Sequence, residues 1–209
     1  MLSSSKPRRI GRPADEAKRE AILVAAAESF FEQGFAATSI EQIASEAGVS
    51  KVTIYNRFGD KRALFTAAVE QECEQMRGSL EVPDMPSGSL RDRLTAIGEA
   101  MVTFLSRPKM VQFERRIAAE TEHEPAVGEA FLAAGPLRMK KAFAALIAAM
   151  HEAGEIAVSD AELAAEQFAS MCKGMGDLER RFGAKDDPRR NRERIAGAVE
   201  VFCRAYARD

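Results

Sequence analysis

The 209-residue sequence has no tryptophan, only two histidines and only three cysteines. Cys73, Cys172 and Cys203 are scattered and odd in number, which argues against a disulfide framework and favours the reduced thiols of a cytoplasmic protein. His123 and His151 have no companion ligands, so we expect no metal site and no cofactor.

Long apolar runs are also missing. The longest one covers residues 142–150, well short of the roughly 18 residues that a membrane-spanning helix needs. The basic N-terminus is not followed by an apolar stretch, so we expect neither a secretory signal nor a membrane partner. We also find no nucleophile–base pair and no Gly-rich phosphate loop, and we therefore do not expect an enzyme.

Charge is almost balanced over the chain but unevenly distributed. The net charge is −2, whereas residues 1–62 hold ten Lys/Arg against eight Asp/Glu. The first twelve residues carry four basic side chains and no acid. A basic arm on a nearly neutral body indicates a local contact with a polyanion.

What the sequence does contain is apolar residues at helical spacing along nearly its whole length, without the alternation typical of strands. The spacing predicts an all-α fold of about nine helices. Residues 81–89, which include two prolines and a glycine, are the best linker candidate. We place a head at residues 1–65 and a larger helical domain at residues 66–209.

A helix-turn-helix is predicted within the first 65 residues. Thr38 opens one helix, and Glu41 three residues later completes a capping box. Gly48 ends that helix, Ser50 caps a third, short helix, and Asp60 caps a fourth. Two helices joined by such a tight turn are typical of a unit whose second helix enters the DNA major groove.

The short third helix divides into an inward and an outward set. Val49, Ile54 and Phe58 are expected to face the core. The outward set combines side chains that read base edges or hold phosphates: Ser50, Lys51, Thr53, Asn56 and Arg57. Tyr55 can pack its ring on the scaffold and also give its hydroxyl to a phosphate, so both roles stay open.

The stretch TSIEQIASEAGVSKVTIYNRFGDKRALF, residues 38–65, resembles the DNA-binding signature of the TetR family of bacterial transcriptional regulators. The upstream AILVAAAESFFEQGF, residues 21–35, is similar to the first helix of that family. The resemblance implies operator contacts by Thr38, Ser39, Ser50, Lys51, Thr53, Tyr55, Asn56 and Lys61. Asn56 and Arg57 lie where the family varies, so they are the candidates for operator choice. Residues 6–13 also resemble a minor-groove arm, which contains Arg8, Arg9 and Arg12.

The C-terminal part resembles the AefR-like branch of the same family, through MVQFERRIAAE (residues 110–120), FLAAGPLR (131–138) and the helix at 159–182. The resemblance to the TetR family implies a homodimer that binds an inverted-repeat operator in double-stranded DNA, usually as a repressor. It also implies a small-molecule effector whose binding moves the fourth helix and spreads the two reading heads.

Aromatic and methionine residues recur at helical spacing in the C-terminal part, and periodicity alone does not separate a packed core from a lined cavity. Candidates for a pocket that takes a hydrophobic or amphipathic ligand are Met101, Phe104, Met110, Phe113, Glu114, Phe131, Phe143, Met171 and Cys172. Candidates for a dimer seam of the last two helices are Phe168, Met175, Ile195, Val199 and Phe202.

Three other functions stay open on the sequence alone. An enzyme on a helical domain would reveal itself by turnover of a ligand. A ligand-independent architectural protein would bind DNA with an affinity that no small molecule alters. An activator would use the same fold with the opposite regulatory sign.

Overall fold

The computed structural model describes residues 12–78 and 88–208. Within them the chain forms ten helices, close to the expected nine: α1 (Arg12–Gln33), α2 (Ile40–Glu46), α3 (Lys51–Phe58), α4 (Lys61–Gly78), α5 (Leu90–Leu105), α6 (Pro108–Thr121), α7 (Pro125–Ala134), α8 (Pro136–Glu152), α9 (Ala161–Arg181) and α10 (Pro188–Tyr206). The sole β contact in this part is an isolated bridge between Ile156 and Ala207, so the all-α prediction is confirmed.

Polar side chains cap the helices of the head, mostly as predicted. Ser50 accepts a hydrogen bond from a main-chain amide three residues later at 3.1 Å, and Asp60 accepts one at 2.7 Å. The cap predicted for α2 is wrong by one residue, because Ser39 and not Thr38 accepts from the amide of Gln42. Thr38 is buried, and its hydroxyl bonds main-chain carbonyl groups of the α1 region instead.

Aromatic packing joins the head to the rest of the chain. The ring of Phe65 in α4 lies 5.2 Å from that of Phe30, edge to face, and the ring of Phe31 stacks 4.2 Å from Phe113 in α6. All four side chains are buried in one apolar cluster that runs from α1 through α4 and on to α7. The head therefore packs directly against α6, and α4 is not its single connection to the rest of the chain.

A second apolar cluster lies at the opposite end and contains residues of α5, α8, α9 and α10. Phe168 and Phe202 are fully buried at its centre, with their rings 5.4 Å apart. Asp160 caps α9 by accepting from a main-chain amide at 2.9 Å, so this helix begins slightly later than the expected residue 159. α9 bends at Gly174, whose φ of 49° and ψ of −152° interrupt the helix. Such a left-handed backbone is strained for any residue with a Cβ.

No helix in the described residues is long and apolar enough to cross a membrane. Most of the linker predicted at residues 81–89 falls outside these residues.

Candidate nucleic-acid interface and ligand cavity

The turn between α2 and α3 fixes the exposed face of the third helix. Gly48 adopts a φ of +65°, and the amide of Val49 donates to the carbonyl group of Ala44 at 2.9 Å. Ile54 is 1% exposed and anchors α3 to the core of the head. The opposite side of α3 is thereby presented to solvent.

Most of the predicted operator contacts are at least partly accessible to solvent. Ser39, Ser50, Lys51, Tyr55 and Asn56 are exposed, and Thr53, Arg57 and Lys61 are half-buried. Thr38 is the exception, since it is 2% exposed and its hydroxyl donates to the carbonyl oxygen of Gly34 at 2.7 Å. In this conformation the Thr38 side chain does not reach the outer face.

Two basic side chains of α3 are engaged by acids of neighbouring helices. Lys51 forms an ion pair with Glu41 of α2 and lies 5.7 Å from the centre of the Tyr55 ring. The hydrogen bond to Glu41 raises the pKa of Lys51. Arg57 pairs with Asp15 of α1 and also donates to its carbonyl oxygen at 3.1 Å. A phosphate or a base must compete with these carboxylates for the two cations.

Lys61 begins α4 and is fixed by the α1–α2 connection. Its ammonium donates to the carbonyl oxygen of Ala36 at 3.2 Å and lies 4.6 Å from the centre of the Phe35 ring. Burial lowers the pKa of Lys61, and the carboxylates of Glu120 and Glu124 partly offset that effect.

The predicted basic arm lies almost wholly outside the described residues. Arg8 and Arg9 lie outside the described residues. The backbone of Arg12 begins α1, and its side chain is not described.

A cavity of about 970 Å³ lies beneath α4 and α6, enclosed by residues of α1 and of α4 to α9. Its walls are mainly aromatic and aliphatic, with Phe31 and Phe168 among the side chains that the sequence prediction did not include. Seven of the nine predicted pocket residues line it: Met101, Phe104, Met110, Phe113, Glu114, Phe131 and Phe143.

The other two predicted pocket residues lie elsewhere. Met171 and Cys172 belong to the second apolar cluster. Cys172 is 1% exposed, and burial raises the pKa of its thiol to about 12. It is an unreactive core thiol in this structure.

Charged side chains occupy one part of the cavity wall. Glu114 accepts an ion pair from Arg181 at 3.1 Å, and the same guanidinium contacts Asp177 at 3.1 Å. Glu72 of α4 lines the cavity as well. The sequence offered no sign of Glu72, which lies in an otherwise ordinary charged stretch of α4. Among the described residues, no group of His, Cys, Asp and Glu side chains could hold a metal ion.

Most of the predicted dimer residues are enclosed within the protomer. Phe168 and Phe202 are 0% exposed, and Ile195 and Val199 are 3% exposed. They pack among α5, α8, α9 and α10, so they have almost no surface to offer to a second chain. Met175, at 61% exposure, is the one member of that set on the surface.

α6 connects the cavity with the head. Ile117 lines the cavity, while Arg116 and Glu120 lie against the end of α1 and the connection to α2. Arg116 donates to the carbonyl oxygen of Phe31 at 2.9 Å, and Glu120 accepts from the amide of Ala36 at 3.0 Å. Movement of α6 would therefore pull directly on main-chain atoms of the head.

Comparison with known proteins agrees with this arrangement. Curated relatives include the HTH-type transcriptional activator FasR of Mycolicibacterium smegmatis, 32% identical over 93 residues, and the uncharacterized HTH-type transcriptional regulator YdeS of Bacillus subtilis, 39% identical over 85 residues. These matches span 44% and 41% of this chain, and 42% and 41% of the two relatives.

Solved structures match over nearly the full length. A TetR-family transcriptional regulator from Mesorhizobium loti is 25% identical, with a TM-score of 0.79 over 95% of this chain and 100% of that one. The flavonoid-responsive regulator FrrA is 30% identical, with a TM-score of 0.73 over 92% of this chain and 98% of that one.

Two family models cover both parts of the chain. Residues 22–68 match the model of bacterial regulatory proteins of the tetR family. Residues 92–208, more than half of the chain, match the C-terminal domain of AefR-like transcriptional repressors. The protein therefore belongs to the TetR family of DNA-binding transcriptional regulators, and its C-terminal domain is of the AefR-like type.

Proposed function

We propose that the protein is a cytoplasmic homodimeric repressor that binds an inverted-repeat operator and is released by a small hydrophobic or amphipathic ligand. Residues 1–65 would form the DNA-reading domain, and residues 66–209 would form the ligand-binding and dimerisation domain. The observation that carries the proposal is the exposed polar side of α3 in a head that α4 and α6 connect to a large apolar cavity.

In this proposal Lys51, Asn56 and Arg57 read or clamp the major groove, and Lys61 holds a phosphate at the start of α4. The acids that pair with Lys51 and Arg57 also fit this role, because they orient long side chains before DNA arrives. Asn56 has no such partner in the described residues, and it is the natural candidate for operator choice.

Release would follow from thermodynamic coupling between the two sites. A ligand that binds better to a conformation with a DNA-incompetent head spacing lowers operator affinity by that difference in affinity. A hundredfold loss requires about 2.7 kcal/mol of differential binding. Both α4, through Glu72 and Cys73, and α6, through Ile117, touch the cavity and also contact the head.

The name of one similar protein suggests a class of ligand to test. FrrA responds to flavonoids, which are planar aromatic compounds that bear hydroxyl groups. Six phenylalanines line the cavity here, so flavonoids are a reasonable first set for a screen.

Selection of random duplex DNA by the purified protein, at near-physiological salt, tests the reading function. We expect one inverted repeat with half-sites about one helical turn apart. Lys51→Ala should weaken binding by about tenfold or more. Lys185→Ala, an exposed lysine between α9 and α10, is the matched control and should bind as the unaltered protein does. Unselective binding that falls steeply with salt would contradict the proposal.

An activator is the second candidate, since the relative FasR is named as one. A transcription assay on a promoter that contains the selected repeat decides between repression and activation. Repression predicts more transcript when the protein is absent, and activation predicts less.

A further inference from the structure

Among the carboxylates that line the mostly apolar cavity, Glu72 and Glu114 are both largely withdrawn from water. Glu114 on α6 has a side chain only 13% exposed. In the described residues its ion-pair partner is Arg181, whose side chain is 46% exposed. Burial raises the pKa of Glu114.

Glu72 on α4 is the less satisfied of the two. Within the described part of the chain, its side chain makes no hydrogen bond and no ion pair, although it lines the cavity. Burial raises its pKa, and the positive charges of Arg107 and Lys109 partly offset that effect. A half-buried carboxylate without a donor gains most from a ligand that supplies one.

Two of the three cations that line the cavity are paired with acids. Lys140 donates to Glu166 at 2.6 Å, and Arg181 contacts both Glu114 and Asp177. Lys173 forms no ion pair in the described residues, but the acids of the lining outnumber the cations by five to three. A second anion placed among these acids would be repelled in a poorly hydrated site.

We propose that the cavity selects aromatic ligands that carry an uncharged or cationic hydrogen-bond donor, which Glu72 and Glu114 accept, and that it discriminates against carboxylates. This inference rests on the proposed ligand-binding function and specifies its chemistry. Specificity then arises both from a favourable donor–carboxylate contact and from charge repulsion of the wrong class.

Three probes that share a biphenyl skeleton separate the effect of the hydrogen-bond donor from the effect of the negative charge. They are biphenyl-4-ol, 4-methoxybiphenyl and biphenyl-4-carboxylate. Binding to the full-length protein without DNA is measured by calorimetry at pH 7. We expect the phenol to bind at least about tenfold more tightly than the carboxylate, with the ether between them. Similar affinity of the carboxylate and the phenol would overturn the proposal, as would equal affinity of the phenol and the ether.

Glu72→Gln and Glu114→Gln test the two acceptors, because each keeps the shape of the side chain and removes its charge. We expect the ratio of phenol affinity to carboxylate affinity to fall by about tenfold in the double variant. A loss of folding would weaken both probes and leave their ratio unchanged, so the ratio isolates the charge. Glu122→Gln, an exposed residue at the end of α6, should keep the ratio of the unaltered protein.

This experiment is independent of the operator experiment. A protein that selects an inverted repeat but binds none of the three probes, up to their solubility, would retain the DNA-reading function and lose this proposal. A protein that ranks the probes as expected but selects no DNA sequence would retain the cavity chemistry and lose the proposed regulation.

Discussion

Single buried polar groups hold the reading head in shape. Thr38 is the clearest case, because its hydroxyl lies 3.1 Å from the carbonyl oxygen of Ser29 and 2.7 Å from that of Gly34. It joins the last turns of α1 to the start of α2. A residue that the family resemblance presents as an operator contact thus has an internal structural role in this conformation.

Replacing Thr38 with valine keeps the side-chain shape and removes the hydroxyl. We expect Thr38→Val to lower the free energy of unfolding by about 1–2 kcal/mol, because a buried hydrogen-bond donor is lost. The measurement is equilibrium unfolding in urea at a fixed protein concentration. Thr103→Val, at an exposed position on α5, should stay within about 0.5 kcal/mol of the unaltered protein. Equal stability of the two variants would refute the structural role of the Thr38 hydroxyl.

Side-chain partners of this kind were only partly predictable. The caps at Ser50 and Asp60 follow from local sequence, because a Ser or Asp directly before a helical pattern of apolar residues is typically the N-cap. The choice between Thr38 and Ser39 was not local, because it depends on which hydroxyl the end of α1 buries. Likewise Glu72 becomes notable only once α4 is placed against α5 and α6.

α6 contacts both the cavity and the head. Some of its side chains line the cavity, whereas Arg116 and Glu120 form hydrogen bonds with main-chain atoms of the head. The ion pair of Lys109 with Glu32, at 2.8 Å, adds a third tie to α1. The family resemblance emphasises α4 as the moving helix, and the contacts here give α6 an equally direct path.

Glu120→Ala removes the acceptor for the Ala36 amide. We expect hydrogen exchange in residues 34–40 to become about tenfold faster, because the hydrogen bond to a charged group is lost. Exchange is followed by mass spectrometry of peptides from the native protein. Glu122→Ala, two residues further along, should leave that segment protected as before. Unchanged protection after Glu120→Ala would mean that the hydrogen bond is not what holds the segment.

The assignment of core and interface shows where periodicity stops being informative. Four of the five residues that apolar spacing selected on α9 and α10 are buried, and Met175 is exposed. The spacing alone does not say whether the protomer or its partner buries such residues. Phe168, Ile195 and Phe202 are already buried inside the protomer. A dimer seam on these helices has to use their other faces, where apolar residues are exposed.

The exposed faces of α9 and α10 carry large apolar side chains. Leu178 on α9 is 47% exposed, Val201 on α10 is 53% exposed, and Phe182 just after α9 is 85% exposed. Such large apolar side chains on two adjoining helices favour burial against a second copy. We expect Leu178→Glu with Val201→Glu to shift the mass in light scattering from twice the 22.8 kDa of one chain to a single chain. Operator affinity should fall with it, because one head alone contacts one half-site. Val24→Glu changes a comparably exposed apolar residue of α1 and should leave the dimer intact. A double variant that remains dimeric would place the seam on another surface of the protein.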